Sequence, residues 1–293
     1  MSSFLEKYKR QPKIYIDLPS QGTFYSPEVL EDRKFTSLPV FGMSAMDEIM
    51  FKTPDALFSG EATAQVIRSC IPSILDPWSI VGYDLDYLLI SIRIATYGDT
   101  IPVATSCPKC DEQTQNEINL SGLLANFANH GVKESFEINE LTFNLKPITY
   151  KASTDFSVQR YHIDRAIAQL ENRDVSYEEK QKELNQLLFD ITKLNLQVAT
   201  AHVESIQTTE DVEDEENIEL DPDAIVDFIS NNDSEFYTKL QDGITALTQK
   251  WNLPAFDITC ASEECDHTYK TTLDLDYSSF FGLRSSHSRS LKS

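Results

Sequence analysis

Two stretches decide how this chain is organised: Ile101-Pro102-Val103-Ala104-Thr105-Ser106-Cys107-Pro108-Lys109-Cys110 and Phe256-Asp257-Ile258-Thr259-Cys260-Ala261-Ser262-Glu263-Glu264-Cys265. Each is a β-like run leading into a cysteine pair, C-x2-C in the first and C-x4-C in the second. Each is followed by another strand-like run, Ile118-Asn119-Leu120 and Thr268 to Leu275. The pattern predicts two hairpins that present their thiols from the turns and together build the tetrahedral thiolate cage of a zinc ribbon. Cys107, Cys110, Cys260 and Cys265 are the predicted ligands and a structural Zn²⁺ the predicted cofactor. Four soft thiolates at about 2.3 Å satisfy zinc without redox chemistry. An iron–sulfur centre is the minor alternative, and the wider second spacing leaves room for His267 to replace a cysteine, ranked below Cys265. Cys70, between Ile67 and Ile71 in a helical stretch, reads as a small buried hydrophobe.

The two pairs are separated by 149 residues. Each doubling of a closed loop costs only about 0.6 kcal/mol, so the excess over a 15-residue loop is roughly 2 kcal/mol. Structural zinc contributes on the order of 10 kcal/mol to folding, so the intervening chain can be an insertion into a ribbon. The predicted fold is α+β, with a mixed N-terminal region and a β zinc-ribbon-like module that carries a large α-helical insertion. The boundaries read from the sequence are an N-terminal strand-plus-helices region at 1–105 and a ribbon module at 106–150 and 252–283. The helical insertion spans 151–251 with an acidic loop at 208–222, and a flexible Ser-rich tail occupies 284–293.

Within the first region, Ile14 to Leu18 reads as a strand stopped by Pro19-Ser20-Gln21-Gly22. Ser44 with Asp47 three residues later has capping-box character and starts a short helix, and residues 60–71 form a second. Asp84 is the expected cap of a third helix, whose apolar face carries Leu85, Leu88, Leu89 and Ile92 and which Gly98 stops. In the ribbon module, Phe136 to Ile138 and Leu141 to Leu145 alternate as two more strands. The insertion shows a sustained stripe of Leu184, Leu187, Leu188, Ile191, Leu194, Val198 and Ala201. The helices expected at 223–229 and 235–251 are long enough to cover it, which predicts an intramolecular bundle with the acidic loop at its tip.

The chain has 293 residues, 41% hydrophobic and 25% charged, which suits a packed globular protein. It carries 25 Lys plus Arg against 47 Asp plus Glu, a formal net charge of -22. That balance argues against nucleic acid, whose phosphates need a basic face, and against an anionic membrane surface. No apolar run reaches the length of a membrane span, and the charged N-terminus lacks a signal-peptide centre. Synthesis is therefore expected in a reducing compartment, where thiols serve as ligands rather than disulfides. The sequence contains no H-E-x-x-H, G-x-S-x-G, G-x-x-x-x-G-K-[ST] or G-x-G-x-x-G. A metalloenzyme is the competing class, and a closed four-thiolate site opposes it because no position stays open for water.

Leu18-Pro19-Ser20 with Gly22, Phe24 and Tyr25 resembles the N-terminal signature of baseplate hub proteins of T-even-type contractile-tailed bacteriophages. Met46-Asp47-Glu48 is similar to the same family. The most specific similarity is Tyr83-Asp84-Leu85-Asp86-Tyr87-Leu88-Leu89, then Ile92-Arg93-Ile94-Ala95-Thr96-Tyr97-Gly98, followed by the Cys107–Cys110 pair. The resemblance covers about residues 14 to 120 and, more faintly, the second cysteine pair; the helical insertion departs from it. It implies a non-enzymatic structural component acting in hub assembly through contacts with other baseplate and tail hub proteins in a multi-subunit assembly. It further implies a place in the virion's tail baseplate, with the host cytoplasm as the site of assembly, and no catalytic residue is carried over. A transient assembly chaperone absent from the mature virion is the alternative. The acidic loop leans towards that role, and the C-terminal arm towards a permanent subunit.

Between Lys193 and Lys239 there is no Lys or Arg, and thirteen acids run from Glu204 to Glu235. Such a block repels itself and stays solvated. Its field speeds encounter with a basic partner more than it strengthens the complex. Deleting residues 210–217 should leave the fold and the metal content intact while slowing association and flattening its salt dependence. Stopped-flow association measured across salt concentrations, beside circular dichroism of the deletion variant, checks this; an unfolded variant would show the segment to be structural.

Overall fold

The computed structural model describes residues 8–127, 134–171, 173, 176–208, 218–262, 264–273, 275 and 280–281. The chain divides into two compact units, Met1–Gly131 with Leu253–Ser293, and Val132–Asn252. It opens with β1 (Pro12–Ile16) and β2 (Leu38–Phe41), then α1 (Ala45–Met50), α2 (Pro54–Phe58), α3 (Glu61–Cys70) and α4 (Gly82–Tyr97). A hairpin of β3 (Thr100–Ser106) and β4 (Gln113–Asn119) leads into the short α5 (Leu120–Ala125). The second unit runs β5 (Glu134–Ile138), β6 (Leu141–Leu145), α6 (Tyr150–Glu171), α7 (Tyr177–Ala201), β7 (Val203–Thr208), β8 (Ile218–Glu219), α8 (Pro222–Ser230) and α9 (Ser234–Thr248). The chain then returns to the first unit with β9 (Phe256–Thr259) and β10 (Thr268–Thr271). Helices and small antiparallel sheets are thus mixed in one chain.

In the first unit, the local signals act as their chemistry dictates. Ser44 caps α1 with a full capping box: its Oγ accepts from the Asp47 N–H, and Asp47 Oδ2 accepts from the Ser44 N–H at 2.7 Å. That carboxylate also receives the Ser69 hydroxyl at 2.9 Å and Arg10 Nη1 at 3.4 Å, so the cap ties α1 to α3 and to the chain ahead of β1. Helix α4 is buried on most of its circumference, with Leu88, Leu89, Ile90 and Ile92 fully enclosed. Gly98, at φ 97°, ends it in a conformation that a side chain would strain.

Two charged residues of α4 are fully buried, and one corrects the sequence reading. Asp84 is not the helix cap: Val81 occupies that position, and no side chain caps it. Asp84 lies inside the first turn and turns towards the N-terminal loop, where it accepts from the Ser20 N–H at 3.0 Å and the Tyr25 hydroxyl at 2.6 Å. The Tyr25 oxygen in turn accepts from the Val81 N–H at 3.3 Å. Near the other end, Arg93 Nη1 donates to the Phe280 carbonyl. Its guanidinium lies over the rings of Tyr97 and Phe280, at 5.3 and 5.1 Å from their centroids. Phe281, beside Phe280, stacks on Phe51 at 4.5 Å. One helix therefore gathers the N-terminal loop and the C-terminal segment of its unit.

The second unit corrects the predicted domain boundary. Strands β5 and β6, which the sequence reading grouped with the ribbon, belong to a four-stranded antiparallel sheet of order β5-β6-β7-β8. Phe143 of β6 faces Phe136 of β5 and Ile206 of β7. The insertion is consequently not all helical. Residues 203–208 carry no strand pattern in sequence, because their apolar positions, Val203 and Ile206, do not alternate. Phe143 is fully buried, with the rings of Phe136 and Phe236 at 5.6 and 5.9 Å. Helix α9 presses so closely on β5 that a Cβ on Gly243 would stand 2.4 Å from the Phe136 ring, which is why glycine sits in mid-helix.

Of the α7 stripe, Leu194 is buried, whereas Leu184 and Leu188 remain 37% and 49% exposed. Towards its C-terminal end Ile191, Val198 and Ala201 are half-buried, and α6, α8 and α9 all pack against α7. The predicted loop 208–222 is trimmed at both ends, since Thr208 closes β7, β8 takes Ile218–Glu219 and α8 starts at Pro222. Its centre, 209–217, and the tail 284–293 lie outside the described residues.

Burial pushes the Asp84 carboxyl up to about 6, against the Ser20 and Tyr25 donors that draw it down. Burial raises the neighbouring Tyr83, Tyr25 and Tyr87, and the Asp84 carboxylate adds to it at each, behind Asp17 at Tyr87. With a folded pKa above the unfolded value of about 3.9, protonated Asp84 stabilises the fold. That stability is fully present below about pH 4 and is lost as pH rises towards 6, on the order of 2 kcal/mol of it between pH 4.5 and pH 7. Asp84→Asn keeps the acceptor for Ser20 and should remove this titration. Denaturant unfolding of both proteins at pH 4.5 and pH 7 should show the gap between them change by about that amount; parallel pH profiles would contradict it.

Candidate metal centre

The two cysteine-bearing hairpins belong to the first unit. In the first, β3 pairs with β4 in strict antiparallel register from Thr100↔Asn119 to Ser106↔Gln113. The ladder closes with the Cys107 N–H donating to the Glu112 carbonyl at 2.9 Å. In the second, β9 pairs with β10 from Thr271↔Phe256 to Thr268↔Thr259, and the Cys260 N–H donates to the His267 carbonyl at 2.9 Å. The turns share a device that the sequence reading missed. The residue after the second cysteine of each pair has a positive φ, Asp111 at 58° and Asp266 at 39°. Aspartate tolerates this left-handed region better than most residues, and it folds the chain back after the last thiol. The repeated dipeptide Cys-Asp, Cys110-Asp111 and Cys265-Asp266, was the visible signal.

These turns bring Cys107, Cys110, Cys260 and Cys265 together, with all four sulfurs within 4.8 Å of one another. Cys107 Sγ lies 3.9 Å from Cys265 Sγ, and Cys110 Sγ 3.6 Å from Cys260 Sγ. Metal–sulfur bonds of about 2.3 Å at tetrahedral angles require sulfurs about 3.8 Å apart, so the group could hold one metal ion with little adjustment. His267 is not part of it; its ring stacks on Tyr269 at 6.2 Å. Cys70 is enclosed in α3, where burial and the Asp47 carboxylate push its thiol up to about 12.

The thiols differ in acidity although they are close neighbours. At Cys107 burial works against ionisation, but the N–H groups of Lys109 and Cys110 and the neighbouring sulfurs outweigh it and bring the thiol down to about 7. At Cys260 the Ser262 N–H lowers the value, yet burial and the other three sulfurs push it up to about 12. Burial and the sulfurs of Cys110 and Cys107 raise Cys265. Crowded thiolates repel one another, so the cluster gives up all its protons only when a cation takes their place. Four protein ligands leave no site for water, which is the chemistry of a closed, structural centre.

Architecture and site together define a mixed helix–strand protein that carries a four-cysteine cluster. The family model described as T4 bacteriophage base plate protein matches residues 41–282, and the chain belongs to that family. It is thus a component of a phage tail baseplate. The match includes the inserted unit, which the sequence resemblance set apart from the family, and leaves out Leu18 to Tyr25, which that resemblance used. Comparison with curated proteins and with solved structures gave no match. Among the described residues, no helix is long and apolar enough to cross a membrane.

Elemental analysis of the purified chain should find about one metal ion per chain, as a four-ligand centre requires. Cys260→Ser should release it, and Cys70→Ser should leave the content unchanged. Metal retained by Cys260→Ser would exclude the cluster as the binding site.

Proposed function

We propose that this baseplate protein is a non-enzymatic subunit of the baseplate hub, acting in hub assembly through protein–protein contacts, with a structural Zn²⁺ on Cys107, Cys110, Cys260 and Cys265 in a zinc-ribbon-like module. The observation that carries the reading is the family match over most of the chain, joined to a thiolate cluster with no open coordination position. Zinc suits an all-thiolate tetrahedral set better than the hard cations that prefer oxygen. When bound, it supplies a rigid cross-link between the two turns. Assembly contacts are supported by large apolar side chains that each unit leaves exposed. Met46 and Ile49 of α1 are 66% and 58% exposed, and Phe189 of α7 is 63% exposed. Side chains of this size in solvent offer apolar area that another subunit could cover.

Quantitative mass spectrometry of purified tails and of infected-cell extract tests the reading. The expected result is the chain in tails at a fixed ratio to other baseplate proteins, with zinc as the metal. Abundance in the extract with none in tails would overturn the subunit role in favour of an assembly chaperone, and iron in the cluster would overturn the metal assignment.

A further inference from the structure

The two hairpins of the metal-binding module are each two-stranded, and among the described residues β3 pairs only with β4 and β10 only with β9. A cleft of about 530 Å³ lies between them. On one side it is lined by every residue from Ile101 to Ser106, and on the other by every residue from Tyr269 to Leu273. Successive side chains of a strand leave from opposite faces, so a cavity that touches consecutive residues runs along the strand's edge. Thus the cleft is bounded by two strand edges.

The register shows which backbone groups face it. The Cys107 N–H bonds to Glu112, and the Leu120 N–H to the Asp99 carbonyl at 2.8 Å, so the odd-numbered residues of β3 exchange bonds with β4. The groups of Thr100, Pro102, Ala104 and Ser106 therefore point the other way. By the same count from Cys260 and His267, Lys270 and Thr272 turn outward from β9. Among the described residues, no backbone partner reaches these outward groups. Pro102, which has no N–H to donate, sits at an outward position, as proline in a strand must. It blunts one end of the edge. Ala104 and Ser106, with small side chains, leave the rest open. The Thr105 hydroxyl and the Tyr269 hydroxyl meet at 2.8 Å and hold the two hairpins at a fixed separation.

We propose that this cleft takes one extended segment of a partner baseplate protein, inserted as a strand between β3 and β10. Unsatisfied donors and acceptors on both sides select an extended backbone, because that conformation alone satisfies both edges. Ile101, Val103, Leu273 and Phe280 give the lining its apolar character, and Lys270 is the one charge among the lining residues. The segment is therefore apolar in alternate positions and neutral or acidic overall. In a chain of net charge -22, this basic-edged cleft is distinct from the acidic loop, which would draw a basic partner.

Amide hydrogen exchange tests this on the tagged full chain, alone and in the complex recovered with it from infected cells. In the free chain the amides of Ala104, Ser106, Lys270 and Thr272 should exchange fast. In the complex they should slow by about tenfold or more, while Ile101, Val103 and Thr105, already bonded to β4, change little. Ala104→Pro removes an outward N–H and spares the ladder. It should melt near the wild type yet lose the complex, and Ala104→Val should keep it. Fast exchange at these amides in the complex, or recovery of the chain with no partner, would overturn the proposal. Protection already present in the free chain would assign the cleft to the chain's own segment, and protection rising with the chain's concentration would assign it to a second copy; either excludes a partner strand.

Discussion

Four sulfur atoms within 4.8 Å of one another join pieces of chain that lie 150 residues apart in sequence. The hairpins that carry them have few other resources. Strand β4 alternates between exposed and half-buried residues until Ile118, and β10 buries none of its four. An isolated two-stranded hairpin is marginal in water, so a metal cross-link at the turns would do the work that a core does elsewhere. The sulfurs can come so close only if their charge is balanced, since four crowded thiolates repel while four thiols have little to attract them. That requirement explains both the split acidities of Cys107 and Cys260 and the fit of the spacing to a tetrahedral ion. The long intervening stretch is a modest obstacle, because closure entropy grows only with the logarithm of loop length.

The rest of the first unit is organised around α4, and again by buried polar groups rather than by apolar area alone. Asp84 accepts from the Ser20 N–H and the Tyr25 hydroxyl, and Arg93 donates to the carbonyl of Phe280. Each charge is removed from water, which is costly unless hydrogen bonds or aromatic faces replace the solvent. Those replacements come from segments remote in sequence, so the helix completes itself only when both ends of the unit are in place. Such buried polar pairings specify one arrangement, where an apolar contact would tolerate several.

A baseplate protein must combine a stable body with surfaces kept for its neighbours. On the reading proposed above, the exposed apolar residues of α1 and α7 and the open strand edges of the cysteine-bearing hairpins are such surfaces, because each leaves a physical requirement that a partner can satisfy. A net charge of -22 opposes self-association of such a chain.

What the sequence determined by itself was local. The Ser44–Asp47 cap, the stop at Gly98 and the strands leading into each cysteine pair depend on neighbours within a few residues, and they stand where the residue types place them. The four cysteines were legible because spacing and flanking strands announce a knuckle, whatever the separation. Tertiary structure decided the rest. Nothing near Leu141 to Leu145 shows that this strand pairs with Val203 to Thr208 across about sixty intervening residues, nor that it belongs to the inserted unit. A helical stripe reveals which side of α7 is apolar but not how far other helices reach along it, and Leu184 is left in water. Asp84 in a first turn has the composition of a cap, and only the position of a distant loop shows that its carboxylate faces inward. Periodicity and capping are carried by bonds within one segment, whereas strand partners and buried charges are settled by groups that the chain brings together from afar.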